Sequence, residues 1–445
     1  MGALPNRRVL INLAIVALAG LLIFAIALPS SRVTLRDLVK QKPNPEIPDE
    51  PAPPPKPKYK PEPDYLPPPI KDNFPLLATS SPPPIPKWNQ PRQDAHKTYN
   101  LPAAPPLFIG FTRTWPVLQQ AVVSYITAGW PASQIYVIEN TGVQQANARG
   151  QLSLQNPFFL NHTALHALGV NIIQTPTLLS FAQMQNFFLS LTYAHDWPYF
   201  FWSHMDVLAL AYEDGRAGLT PRYDAPGYKS LYELALTALQ TTQEKGHKWG
   251  LRFFSYDHLT LVNPKAYEDV GGWDTLIPYY MTDCDMHSRL TMRGWTIEDA
   301  KAGIITDVAS ALGDLSALYR VDGVEPNFVD PNPPPPKEEG GKSKQRAKRD
   351  EDPNLAKWNA LRKTADRMFQ HKHGDRERNT WQLGQHGGEG EPFYYNAAGL
   401  AEGIEVMTET GREMYRRKWG HRDCELIKKG GLKFEDAWRV KKDWD

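Results

Sequence analysis

Four short runs of this 445-residue chain place acids, an imidazole and a guanidinium where they could do chemistry together. In WSHMDV, His204 and Asp206 follow an apolar stretch, and a carboxylate in such a setting is costly unless paired or bound to a cation. Together they could hold a divalent ion that bridges diphosphate oxygens. A satisfied polar turn is the plain alternative. In MTDCDMHSRL, Asp283 and Asp285 open a helix predicted over 284–293, with Arg289 about a turn along. Acids are favoured at helix N-termini, so capping explains both without catalysis. The sharper reading makes one of them a general base for an acceptor hydroxyl, with Arg289 orienting a carboxylate. Just upstream, Gly271-Gly272-Trp273-Asp274 is a flexible turn whose aromatic face suits a sugar ring, although a buried core tryptophan fits the same pattern. Glu139 opens the turn Glu139-Asn140-Thr141-Gly142 after an apolar strand, where an acid can accept hydrogen bonds from a ribose or a base.

The elements that must hold these residues begin at Leu107. Leu107–Phe111 reads as a buried strand, and Leu118, Ala121, Val122, Tyr125 and Ile126 mark one face of a helix. Further strands are predicted at 134–138, 170–174 and 199–202, with a helix over 181–195 before the last. Such alternation with short links means an α/β domain: a mostly parallel sheet covered by helices on both faces. Ligands on such sheets sit at the carboxyl ends of the strands, where Glu139 and Asp206 fall.

Composition divides the rest. Of 41 prolines, 22 lie in 43–106, a segment that favours extended polyproline II and reads, over 29–106, as a stem. Residues 9–28 carry no charge and span roughly 30 Å as a helix, the thickness of a bilayer. They predict a transmembrane signal anchor after a short tail, 1–8. The domain follows over 107–330, then a low-complexity loop, 331–353, whose mixed charges mark solvated chain. The remainder, 354–445, is expected to pack on the domain, beginning with a helix over 355–371. With 50 basic and 49 acidic residues, the net charge of +1 gives no reason to expect a nucleic-acid partner.

Some chemistries find no support. There is no G-x-S-x-G, no P-loop and no G-x-G-x-x-G in a strand-to-helix turn. Cys284 lies between two acids that oppose its thiolate, and Cys284 and Cys424 are the only cysteines. His371, His373 and His386 lack companions at zinc spacing and read as surface histidines. Asn161-His162-Thr163 is a sequon, making Asn161 a candidate glycosylation site in an exported domain.

The ordered set, Glu139, then Gln183–Asn186, His204-Met205-Asp206, GGWD and DCDMHSRL, resembles a GT-A glycosyltransferase. It is most similar to family-2-like inverting enzymes, with an echo of the beta-1,4-galactosyltransferases. The resemblance covers roughly 107–310. It implies a Rossmann-like GT-A core in which Glu139 and Asn186 serve the nucleotide-sugar donor. It also implies that Asp206, with His204 in place of the first acid of Asp-x-Asp, holds manganese or magnesium. A late metal ligand, commonly a histidine, falls on Asp307. The family's acidic run falls on Asp283, Asp285 and Arg289, with Thr282 in place of its first acid and Asp283 as base. Trp273 and Asp274 would meet the acceptor or the donor sugar. The expectation is a type II, single-pass Golgi or endoplasmic reticulum enzyme. It would transfer a sugar to a glycan or protein-linked acceptor with inversion and metal assistance. Two rivals stand beside it: an inactive GT-A-like sugar-nucleotide or glycan-binding protein, and a membrane-tethered scaffold working through its prolines.

Overall fold

The computed structural model describes residues 56–59, 61, 69–328, 352–374, 387–393 and 397–443. The chain divides into two units at Asp64 and Tyr65, and all that follows concerns the second. Its strands are β1 (Leu107–Phe111), β2 (Ile135–Glu139), β3 (Asn171–Gln174), β4 (Phe200–Ser203), β5 (Val207–Leu210), β6 (Trp249–Phe254), β7 (Leu259–Val262), β8 (Thr296–Ala300) and β9 (Ile304–Asp307). The helices used below are α1 (Trp115–Thr127), α2 (Gln144–Ala148), α3 (His162–Ala167), α4 (Phe181–Ala194), α5 (Leu231–Glu244), α6 (Pro264–Asp269), α7 (Thr282–Met292), α8 (Pro353–His373) and α9 (Ala397–Trp419).

Seven strands form one sheet in the order β3-β2-β1-β4-β7-β6-β8. Only β7 runs against its neighbours; the other pairings are parallel. Alternation along β1 shows why both faces must be covered. Leu107, Ile109 and Phe111 enter one core and Phe108 the other, as the two-residue period of a strand requires. The first core takes α1 and α5, and the second takes α4 and α7. Local chemistry starts the helices cleanly. Ser180 with Gln183, and Ser230 with Glu233, close reciprocal capping boxes at α4 and α5. The result is a mixed, mostly parallel sheet with flanking helices, consistent with a GT-A, Rossmann-like core.

A second, two-stranded sheet pairs β5 with β9 and sets Val207 opposite Asp307. The Val308 N–H donates to the Asp206 carbonyl at 2.8 Å, so Asp206 and Asp307 are brought together by register.

Three expectations change. First, residues 69–106 are part of the packed domain: Phe74 stacks on Tyr319, and Asn89 Nδ2 donates to the Thr127 carbonyl at 3.0 Å. Interspersed apolar residues, Phe74, Tyr99 and Leu101, supply the burial that the prolines cannot. Second, the single-pass membrane protein is corrected, because among the described residues no helix is long and apolar enough to cross a membrane. The two longest, α8 and α9, carry Arg362, Asp366, Glu405 and Glu409 along their lengths. The proposed anchor, 9–28, lies outside the described residues. The Golgi or endoplasmic reticulum placement and the membrane as partner, which depended on it, are not carried further. Third, the fold class is corrected to a mixed, mostly parallel sheet with flanking helices, with no spanning helix among the described residues. Most of the loop 331–353 also lies outside the described residues.

Candidate functional site

A cavity of about 630 Å³ opens at the carboxyl ends of β1, β2 and β4, where a parallel sheet of this kind binds ligands. Gly110, Thr112 and Asn140 line one side, His204, Asp206 and Asp307 the floor, and Tyr256, Asp257, His258 and Asp283 the other side. Backbone strain gathers around it. Thr114, Ser255, Tyr256 and Met281 all adopt positive φ, which side-chain-bearing residues rarely do.

The floor is an ion lattice. Lys372 arrives from the last turn of α8 and donates to Asp206 Oδ2 at 2.7 Å, Asp307 Oδ1 at 2.5 Å and the Val308 carbonyl at 3.3 Å. An ammonium has three N–H donors, and these acceptors use all of them. His373 Nε2 donates to Asp307 Oδ2 at 2.7 Å. His204 lies 3.6 Å from both Asp206 and Asp257. Burial alone would raise the Asp206 pKa, but Lys372 and then His204 hold it well below the usual carboxylate range. Burial likewise opposes charge on Lys372, and the two carboxylates outweigh it and raise its pKa. For His204, burial is outweighed by Asp257 and Asp206, which push its pKa up to about 10. His258, buried beside that imidazolium, is pushed below its ordinary value by desolvation first and His204 second.

This lattice corrects the metal expectation. The oxygens of Asp206 and Asp307 that were to ligate manganese or magnesium are bound to an ammonium from within the chain. Among the described residues no group of three or more His, Cys, Asp or Glu side chains is placed to hold a metal ion. The donor set does not fit a resident divalent ion, and the metal-assisted reading is set aside with it.

The other sequence candidates separate into those that face the cavity and those that do not. Asp283 lines it, half-buried, and the Tyr256 hydroxyl donates to its Oδ2 at 3.3 Å. Asp285 is fully buried: Oδ2 accepts from Arg289 Nε at 2.8 Å, and Oδ1 accepts from Trp419 Nε1 at 2.9 Å and Lys418 Nζ at 2.7 Å. Arg289 also donates to the Val270 and Gly272 carbonyls, so this pair ties α7 to the glycine turn and to the end of α9. Lys418 reaches Asp274 Oδ2 as well, at 2.7 Å. Trp273 is only 3% exposed and packs edge-on to Phe181 and Tyr267, with no face open to a sugar. Asn186 clamps its backbone, donating to the Trp273 carbonyl and accepting from its N–H, both at 2.8 Å. Gly272 permits this approach: its φ is +74°, and a Cβ there would meet Asn186 Oδ1 at 2.7 Å.

Glu139 is buried, and its carboxylate accepts from Asn147, Thr141, His162 and Gln174. Those four donors fill the lone-pair sites of a carboxylate, joining β2 to α2, α3 and β3, while its neighbour Asn140 lines the cavity. Asn161 is the N-cap of α3, its Oδ1 accepting from the Ala164 N–H at 2.9 Å.

Sequence reasoning missed Lys372, Asp257, His258 and the disulfide that joins Cys284 to Cys424 across 140 residues. A signal for Lys372 was present: it continues the buried stripe Leu361, Ala365 and Met368 of α8, an unusual place for a lysine unless acids wait there.

No protein-family description matches the chain, and no curated protein does. The specific likeness to family-2-like enzymes and to beta-1,4-galactosyltransferases is therefore not carried further. Among solved structures, a cytidylyltransferase from Leptospira borgpetersenii serovar Hardjo-bovis (strain JB197) is similar at 6% identity and a TM-score of 0.26. The match covers 44% of this chain and 75% of that one. The mannosyltransferase PcManGT from Pyrobaculum calidifontis, in complex with GDP-Man and Mn2+, is similar at 13% identity and a TM-score of 0.26. There the match covers 46% of this chain and 60% of that one. At that score neither likeness carries an argument.

Proposed function

We propose that this chain is a GT-A-like protein that binds a sugar nucleotide in the strand-end cavity without a divalent ion. One observation carries the reading: Lys372 and the His204 imidazolium together offset the two negative charges of Asp206 and Asp307 on the cavity floor. The charge that a metal would bring is built into the chain, and the diphosphate meets a floor on which His204 is also held protonated. Titration of the full chain with UDP, GDP and CDP by calorimetry tests this. Saturable binding of one of them is expected; silence from all three in a folded sample contradicts it.

Asp283 favours a second reading, hexosyl transfer, because it shares the cavity. An acceptor oxygen would bond to the anomeric carbon as the carbon–phosphate oxygen bond breaks. The acceptor proton would pass to Asp283 and the nucleoside diphosphate would leave. Asp283→Asn is then expected to keep nucleotide affinity and abolish transfer. Transfer at the wild-type rate in this variant would remove Asp283 from the mechanism.

A further inference from the structure

The turn Tyr256–His258, between β6 and β7, belongs to none of the motifs read from the sequence, yet three of its side chains line the cavity. His258 is the informative one. It is 8% exposed, and neither ring nitrogen has a hydrogen-bond partner. Its nearest acid, Asp307, stands 3.7 Å away, beyond hydrogen-bond reach. A buried polar group in that condition is costly and calls for an explanation. As a neutral imidazole it offers one N–H and one lone pair, the combination a hydroxyl group satisfies. Asp257, half-buried beside it, has His204 as its nearest cation at 3.6 Å, likewise beyond hydrogen-bond reach. On the same side stands Asp283, linked to the Tyr256 hydroxyl. Acceptors and an amphoteric imidazole thus converge at one end, while Lys372 and His204 lie on the floor beside them.

We propose that this end, built by Asp257 and His258 with Asp283 on the same wall, is a hydroxyl-reading subsite that takes an uncharged sugar and rejects an anionic one. Two carboxylates accept hydroxyl protons well, and the same two repel a third carboxylate brought by a uronic acid. Asp257 and His258 are positioned for this by the two consecutive positive-φ residues that precede Asp257, Ser255 and Tyr256.

The inference rests on the sugar-nucleotide reading above, and the test separates the two. UDP, UDP-glucose and UDP-glucuronate, and in parallel GDP and GDP-mannose, are titrated into the full chain in the presence of EDTA. Binding of UDP or GDP alone tests the reading. For this subsite, the neutral sugar nucleotide is expected to bind about tenfold or more tighter than the uronate, or, if GDP is the nucleotide chosen, than GDP itself. Because Asp257 also helps hold His204 protonated, the readout is the ratio of neutral-sugar-nucleotide to parent-nucleotide affinity, which Asp257→Asn and His258→Phe are each expected to lower. Equal or tighter binding of the uronate, or variants that leave the sugar's contribution intact, overturn the subsite while the nucleotide reading stands. No nucleotide binding at all overturns both. A circular-dichroism melt of each variant checks its folding. If His258→Phe does not fold, Asp257→Asn alone decides, because it keeps the side chain's shape.

Discussion

Lys372 carries the account at the scale of single residues. Its ammonium is enclosed between two carboxylates, and removing one partner of a buried pair leaves the other charges uncompensated. Lys372→Met is expected to lower stability by about 3–5 kcal/mol, read from denaturant midpoints. Replacing Asp206 and Asp307 by asparagine in the same chain is expected to recover much of that loss, because no buried charge then lacks a partner. An unchanged midpoint in Lys372→Met would show that the lattice does not bear on stability. The neighbouring His204 gives a pH signature. Its pKa rises from 6.5 to about 10 on folding, so its stabilisation is complete below pH 6.5 and fades as the pH rises towards 10. Asp206 is shifted downwards from 3.8, so its contribution is complete above that value and is lost as the pH falls below it. His204→Gln is expected to flatten the alkaline decline between pH 6.5 and 10 and leave the acid limb in place. Identical alkaline limbs in the two proteins would contradict this. Residue types just after β4 and in the first turn of α7 marked Asp206 and Asp283, both of which line the cavity, because such positions are local properties. They could not distinguish an acid that faces the cavity from Glu139 or Asp285, whose partners come from distant segments.

At the scale of elements, α7 and α9 act as one assembly. Cys284, inside α7, is joined to Cys424 just beyond α9, while Lys418 and Trp419 at the end of α9 grip Asp285. Gly411 lets α9 pass close to the 279–281 segment, where a Cβ would meet the Tyr280 carbonyl oxygen at 2.4 Å. From that anchored end, the helix runs back so that Leu400, Ile404 and Met407 line the cavity. Cys424→Ser is expected to cost about 2–5 kcal/mol, the range for losing a native cross-link. Hydrogen exchange is expected to rise in α9 and residues 420–443 before it rises in β1 or β4. Uniform loss of protection across the sheet would contradict this separation. Strands β1 to β4 and helix α4 were legible because apolar periodicity reports burial directly. The antiparallel insertion of β7 was not, because strand direction depends on connections that periodicity does not encode.

Over the whole molecule, the C-terminal segment completes the site rather than merely covering the domain. Asp206 and Lys372 are 166 residues apart, and the cavity floor exists only where α8 meets the β5–β9 sheet. The sequence divided the chain by composition, and composition was a fair guide to the α/β core. It was a poor guide at 69–106, where a few aromatic side chains bind a proline-rich stretch into the core. It also could not show that a cation from a late helix fills the place assigned to a metal. The most direct test is therefore the affinity of the full chain for whichever of UDP, GDP or CDP it binds, measured in EDTA and again with manganese. The lattice predicts equal affinities within about twofold. A gain of about tenfold or more on adding manganese would contradict the claim that Lys372 supplies the charge at this floor.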